Sequence, residues 1–108
     1  MDIIQLGSDG EIDTTVAASA DVFSSDLSMT DGKEFDDWDL LIKVSVATKI
    51  KVALDGSDFG DIDDGGSSLT AAKWYRFLFP AKNTDAFQLQ ATSGTDIGFV
   101  GRIRGVKY

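Results

Sequence analysis

The chain has 108 residues, enough for one domain with one hydrophobic core. It contains no cysteine and no histidine, and its 18 acidic and 10 basic side chains leave a formal charge of −8. These counts exclude a disulfide framework, a thiolate zinc site and every catalytic arrangement that depends on a histidine base.

An enzyme is therefore not expected, and neither is a cofactor. A surface of this sign repels nucleic acid and anionic membranes. The first ten residues, MDIIQLGSDG, lack the basic start and long apolar run of a secretory signal, and no stretch is apolar for long enough to span a bilayer. The charge is uneven. Residues 1–42 hold eleven acids and one base, whereas residues 43–108 hold seven acids and nine bases. The acidic part can be solvated loop, or it can lie against the basic part of its own chain or a neighbour's.

Asp2 to Leu6 is a short apolar run closed by Gly7-Ser8-Asp9-Gly10, and reads as a terminal strand or as an arm over residues 1–10. From Glu11 to Val22 apolar and polar residues alternate as in a strand. Val16, Ala20, Phe23 and Leu27 also fall at helical spacing, but the β-branched start favours the strand. A short strand around Leu27 and Met29 and a tight turn at Asp31-Gly32 follow. Phe35 and Trp38 then read as plugs at a sheet edge.

The strongest regular signal runs from Trp38 to Leu54. Its even positions (Leu40, Ile42, Val44, Val46, Thr48, Ile50, Val52, Leu54) make an almost wholly apolar face, and its odd ones (Leu41, Lys43, Ser45, Ala47, Lys49, Lys51, Ala53) a mostly polar face. It reads either as a hairpin turning at Ala47-Thr48-Lys49, which would pair Val44 with Val52, or as one long strand bent near Ala47. Asp55 to Ser68, with five aspartates and four glycines, reads as a loop held by Phe59 and Ile62.

Lys73 to Phe79 sets Tyr75, Phe77 and Phe79 against Trp74, Arg76 and Leu78, and Pro80 ends it. Ala86 to Ala91 sets Phe87, Leu89 and Ala91 against Gln88 and Gln90. Ile97 to Tyr108 closes the chain with Ile97, Phe99, Gly101 and Ile103 against Val100, Arg102, Arg104, Val106 and Tyr108. Short strands separated by turn signals specify an all-β fold, an antiparallel β-sandwich or jelly-roll-like barrel of about seven to nine strands, in a single domain over residues 1–108.

No constellation carries obvious chemistry. The aspartate loop offers Asp58, Asp61, Asp63 and Asp64 to a hard cation, yet neither frame of an EF-hand fits it: from Asp55, Phe59 occupies a ligand position, and from Asp61, Ala72 stands where the glutamate belongs. No metal site is expected. Asp36, Asp37 and Asp39 are numerous enough for a glycosidase pair, but nothing marks a raised-pKa acid. The face bearing Trp74, Arg76, Leu78, Arg102, Arg104 and Tyr108 combines the residue types enriched at interface hot spots. It would be covered either by the chain's own acidic part or by another subunit, with Arg102 and Arg104 meeting carboxylates. Charge reversal at both arginines is then expected to disrupt assembly while sparing the fold.

Four elements, Leu54-Asp55-Gly56, Leu69-Thr70-Ala71, Tyr75-Arg76-Phe77 and Arg102-Ile103-Arg104, lie in a stretch from about residue 49 to the C-terminus. In this pattern the chain resembles the small all-β virion proteins of tailed bacteriophages. The resemblance implies a non-catalytic capsid decoration or cement protein, assembled in the host cytoplasm and residing on the capsid surface. As such proteins do, it would form trimers, bind the major capsid protein, and grip the shell with an N-terminal arm. Contacts are then expected at Ile3, Ile4 and Leu6 and on the Trp74, Arg76, Arg102, Arg104 and Tyr108 face. A tail, neck or head-fibre component would share this pattern. A carbohydrate-binding β-sandwich, using Trp38 and Trp74 with nearby acids, is the remaining alternative.

Overall fold

The long alternating run divides between two sheets. In the computed structural model, which describes residues 1–28, 34–54, 59–62, 65–81, 86–92 and 94–108, strand β3 (Asp37–Val44) ends before Ser45 and β4 (Ile50–Ala53) begins in the other sheet. Val44 pairs with Phe99, while Val52 pairs with Gly60 and Leu89, so the run is neither a hairpin nor one bent strand. The shared parity is what both sheets use. Every even residue from Trp38 to Val44, together with Ile50 and Val52, is buried between them.

The larger sheet orders β1 (Asp2–Ile4), β8 (Ile97–Lys107), β3 and β6 (Trp74–Pro80), with β2 (Glu11–Val16) also paired to β8. The smaller one orders β5 (Phe59–Ile62), β4 and β7 (Gln88–Ala91). All pairings are antiparallel. The described strands thus form an open sandwich of two sheets and not a closed barrel.

β3 lies inside the larger sheet, with β8 on one side and β6 on the other, so Trp38 is no edge plug. Its ring is fully buried, 4.8 Å from that of Phe35 and 5.0 Å from that of Phe87 on the opposite sheet. Phe79 meets Phe87 at 5.9 Å, and these contacts join the two layers.

Other expectations shift for local reasons. The strand begun at Glu11 stops at Val16, because Ser19 adopts a left-handed φ of 66° and turns the chain. Residues 19–27 then run beside β7, through Ser19 N–H to Ala91 O, Val22 N–H to Leu89 O, and a two-way bridge between Leu27 and Phe87. The acidic segment therefore closes the β7 edge instead of covering the arginine-bearing face. Within the aspartate- and glycine-rich stretch, Phe59–Ile62 forms a strand after all, held by register with β4. Met29, the Asp31-Gly32 turn, Asp55, Asp58, Asp63 and Asp64 lie outside the described residues.

Gln88, which alternation places on a polar face, is buried. It accepts from Phe23 N–H at 2.8 Å and donates to Phe23 O at 2.8 Å and to Asp26 at 3.0 Å. It thereby satisfies the backbone of a segment that has no complete ladder of its own. Gln88→Leu is expected to cost about 2 kcal/mol by orphaning those groups. The check is a lower urea midpoint at unchanged slope, and an unaltered midpoint would contradict it.

Candidate functional site

The outer face of the larger sheet is built by register. β3 places Asp39 between Leu78 of β6 and Arg104 of β8, and Leu41 between Arg76 and Arg102. One row further, Lys43 stands between Trp74 and Val100, with its ammonium 5.0 Å from the Trp74 ring centre.

Asp39 is fully buried, although it points to the solvent side of the sheet, because the arginines cover it. Arg76 holds it bidentately, Nε to Oδ1 at 2.8 Å and Nη2 to Oδ2 at 3.2 Å. Arg104 Nε donates to Oδ2 at 3.0 Å. Arg102 donates through Nη1 to the main-chain oxygen of Asp39 at 3.0 Å and sets Nη2 3.6 Å from Oδ2.

The charges do not balance: three guanidinium groups converge on one carboxylate. Burial alone would raise the Asp39 pKa, but hydrogen bonds from Arg76 and Arg104 and the fields of Arg102 and Arg76 hold it below the ordinary 3.8. Asp39 stays ionised, the opposite of a proton donor. Burial lowers the pKa of Arg102, and repulsion from Arg104 and Arg76 opposes the pull of Asp39. The bond to Asp39 raises that of Arg76. The surplus positive charge and the donors still facing solvent suit a surface that meets acidic or carbonyl-rich protein.

Around this centre the face is apolar and open. Trp74 is 48% exposed, Leu78 50% and Val100 41%. At the margin Tyr108 is exposed, yet tethered, with its N–H on Asp36 at 2.9 Å and its hydroxyl on Asp37 at 2.6 Å. Its phenol titrates above the usual range because the hydrogen bond it donates to the Asp37 carboxylate favours the protonated form.

The arginines expected at an interface are thus brought together with Trp74 and flanked by Tyr108. The N-terminal residues are not. β1 pairs Ile3 with Val106 and Ile4 with Gly105, leaving both half-buried, and Leu6 belongs to the core. Residues 1–10 are built into the fold as a strand and a 3-10 turn (Gly7–Gly10), which is the terminal-strand reading and not the arm, and Leu6, expected as a contact, is buried instead. Two further expectations change. Buried Trp38 cannot stack on a sugar. Reversal of Arg102 and Arg104 would not spare the fold, because both hold Asp39.

Alternation alone does not single out Asp39 as the organising residue. Its parity put it on the polar face, but only the register between β3, β6 and β8 shows that three arginines share it. A second concavity, about 530 Å³, opens between the 3-10 turn and residues 22–28 and is lined by Ser8, Asp9, Glu11, Ser24 and Asp26. Asp26 is already engaged by Gln88, and among the described residues no three acids converge to hold a metal ion. Comparison with protein-family models, curated proteins and solved structures finds no match to this chain.

Proposed function

We propose that this protein is a non-catalytic virion structural protein of the capsid decoration type, which binds the major capsid protein in the assembled shell as an oligomer. The observation that carries the reading is the outer sheet face, where Trp74, Leu78 and Val100 stand exposed around a rigid arginine cluster. Apolar anchors around pre-ordered arginines are the features of a protein-binding hot spot. The virion assignment rests on the sequence resemblance.

The mechanism is linkage. A protein that binds only the assembled shell lowers its free energy, by about 2.7 kcal/mol per site at a hundredfold excess over Kd. Asp39 contributes by fixing the arginines in advance, so that less side-chain entropy is lost on contact.

The test is co-sedimentation with shells assembled from the major capsid protein alone. The wild-type chain is expected to sediment with them. Trp74→Ala should weaken binding about thirtyfold, the equivalent of a 2 kcal/mol hot spot, while its melting temperature barely moves. Failure of the wild type to sediment with shells, or full-strength binding by Trp74→Ala, would refute the proposal.

A further inference from the structure

We propose that β6 is an assembly edge, through which two copies of this chain pair strand to strand about a two-fold axis and join their larger sheets into one. β6 ends the order of its sheet, with β3 on one side and no strand among the described residues on the other. Ala81 N–H donates to Asp36 O on the β3 side, continuing the β6–β3 register. Because backbone direction alternates along a strand, Phe77 and Phe79 address β3, while Trp74, Arg76 and Leu78 turn their N–H and C=O groups outward. Pro80 falls on the outward parity, where a missing N–H costs the sheet nothing.

A long edge of this kind is a template for another strand unless charge or a bulge blunts it. Here Lys73 and Pro80 mark the two ends, and between them the only charge is Arg76, already tied to Asp39.

The occupant follows from charge. Two copies at −8 each repel, and a two-fold contact sets an edge against its own copy, so the contact is least opposed at an edge without acids. β1 carries Asp2, β2 carries Glu11 and Asp13, and β5 carries Asp61, while the β7 edge is bordered by Asp21 and Asp26. β6 has no acid, nor does any residue from Gly65 to Ala81.

Its side chains are also self-complementary. The rings of Tyr75, Phe77 and Phe79 form a ladder on the inner face, with centres 6.2 Å and 6.3 Å apart, and Tyr75 and Phe77, in the last strand of the sheet order, are only partly buried. With Phe77 on the axis, Phe77 faces the partner's Phe77 and Arg76 faces the partner's Leu78, whose backbones exchange hydrogen bonds. A shift that sets Arg76 on the axis would oppose like charges. Such a contact is isologous and closes at two copies, unlike the trimers implied by the resemblance. It leaves the outer face uncovered and doubles it.

Sedimentation velocity of the purified chain, from micromolar to millimolar concentration, tests this without any shell. A dimer is expected. Leu78→Pro removes only an outward N–H, so it should give a monomer over the same range with an unchanged circular dichroism spectrum. Should that variant unfold, Leu78→Lys serves instead, since an edge lysine opposes strand addition.

Phe77→Cys supplies the chain's only thiol, held about 4.5 Å Cα to Cα from its mate in a non-hydrogen-bonded pair, and should form a disulfide dimer on mild oxidation. A wild-type monomer or trimer, or a dimer untouched by a folded Leu78 variant, would overturn the proposal. A folded Phe77→Cys chain that does not cross-link would do the same. Shell binding by a monomer would sink the edge alone, and a dimer that ignores shells would sink the virion reading alone.

Discussion

Asp39→Asn is expected to lower the melting temperature by about 10–20 °C. The substitution keeps the shape but removes the one anion that three guanidinium groups share, and it aims an amide N–H₂ at donors. Removing one partner of a buried ion pair costs about 3–5 kcal/mol. About 2–4 kcal/mol is the appropriate range here, since Arg76 is half exposed and all three arginines can swing toward water. At roughly 5 °C per kcal/mol for a domain just over 100 residues long, that yields the stated shift.

The pH dependence has a fixed sign. The folded-state pKa of Asp39 lies below 3.8, so its contribution is complete above that value and is lost as pH falls through the folded one. The gap between wild type and Asp39→Asn should therefore narrow below about pH 4. Thermal unfolding of both chains between pH 7 and pH 2 measures it; a gap that stays constant, or a variant as stable as wild type at neutral pH, would contradict the account.

Gly101→Ala should do comparable or greater damage. Gly101 sits inside β8, paired with Ile42 on β3 and with Ile12 on β2, at a φ of 154° that side chains rarely adopt. A Cβ there would strike the carbonyl oxygen and carbon of Leu41, which are backbone and cannot rotate aside. Leu41 lies between Arg76 and Arg102 in register, so the displacement passes straight into the arginine cluster. The expected cost is above about 3 kcal/mol, in the class of strained backbone combined with a core clash. Expression yield and melting temperature report it. A soluble variant melting within a few degrees of wild type would show that β8 approaches β3 less closely than described.

The sequence made the strands legible wherever one face is apolar and the other polar. β3, β6 and β8 each carry that pattern, although Asp39 and Val106, whose parity places them on the outer face, are buried there. Pairing was less legible, because it depends on residues far apart in the chain. Nothing between Val44 and Ile50 marks the crossing from one sheet to the other; the apolar parity simply continues through it. β5 is a strand only because β4 aligns it, against a local composition that favours a loop. Gln88 is inside because residues 22–27 need its amide, which alternation cannot convey.

The site divides in the same way. Arg76, Arg102 and Arg104 could be placed on one face by parity, and Trp74 beside them. Asp39 at their centre could not, since its role comes from three strands meeting in one register. Leu6 departs in the opposite direction: a run that reads as either a terminal strand or an arm is the strand, pairs with β8 and sends its last apolar residue into the core.

Hydroxyl-radical footprinting of the chain, free and bound to undecorated shells, probes the arginine face itself. Each tryptophan is read out in its own peptide by mass spectrometry. Trp74 is expected to be oxidised in the free protein and protected on the shell, while buried Trp38 stays unmodified in both. Trp74 oxidised equally in both states, with the chain bound, would show that the arginine face is not the surface this protein works through.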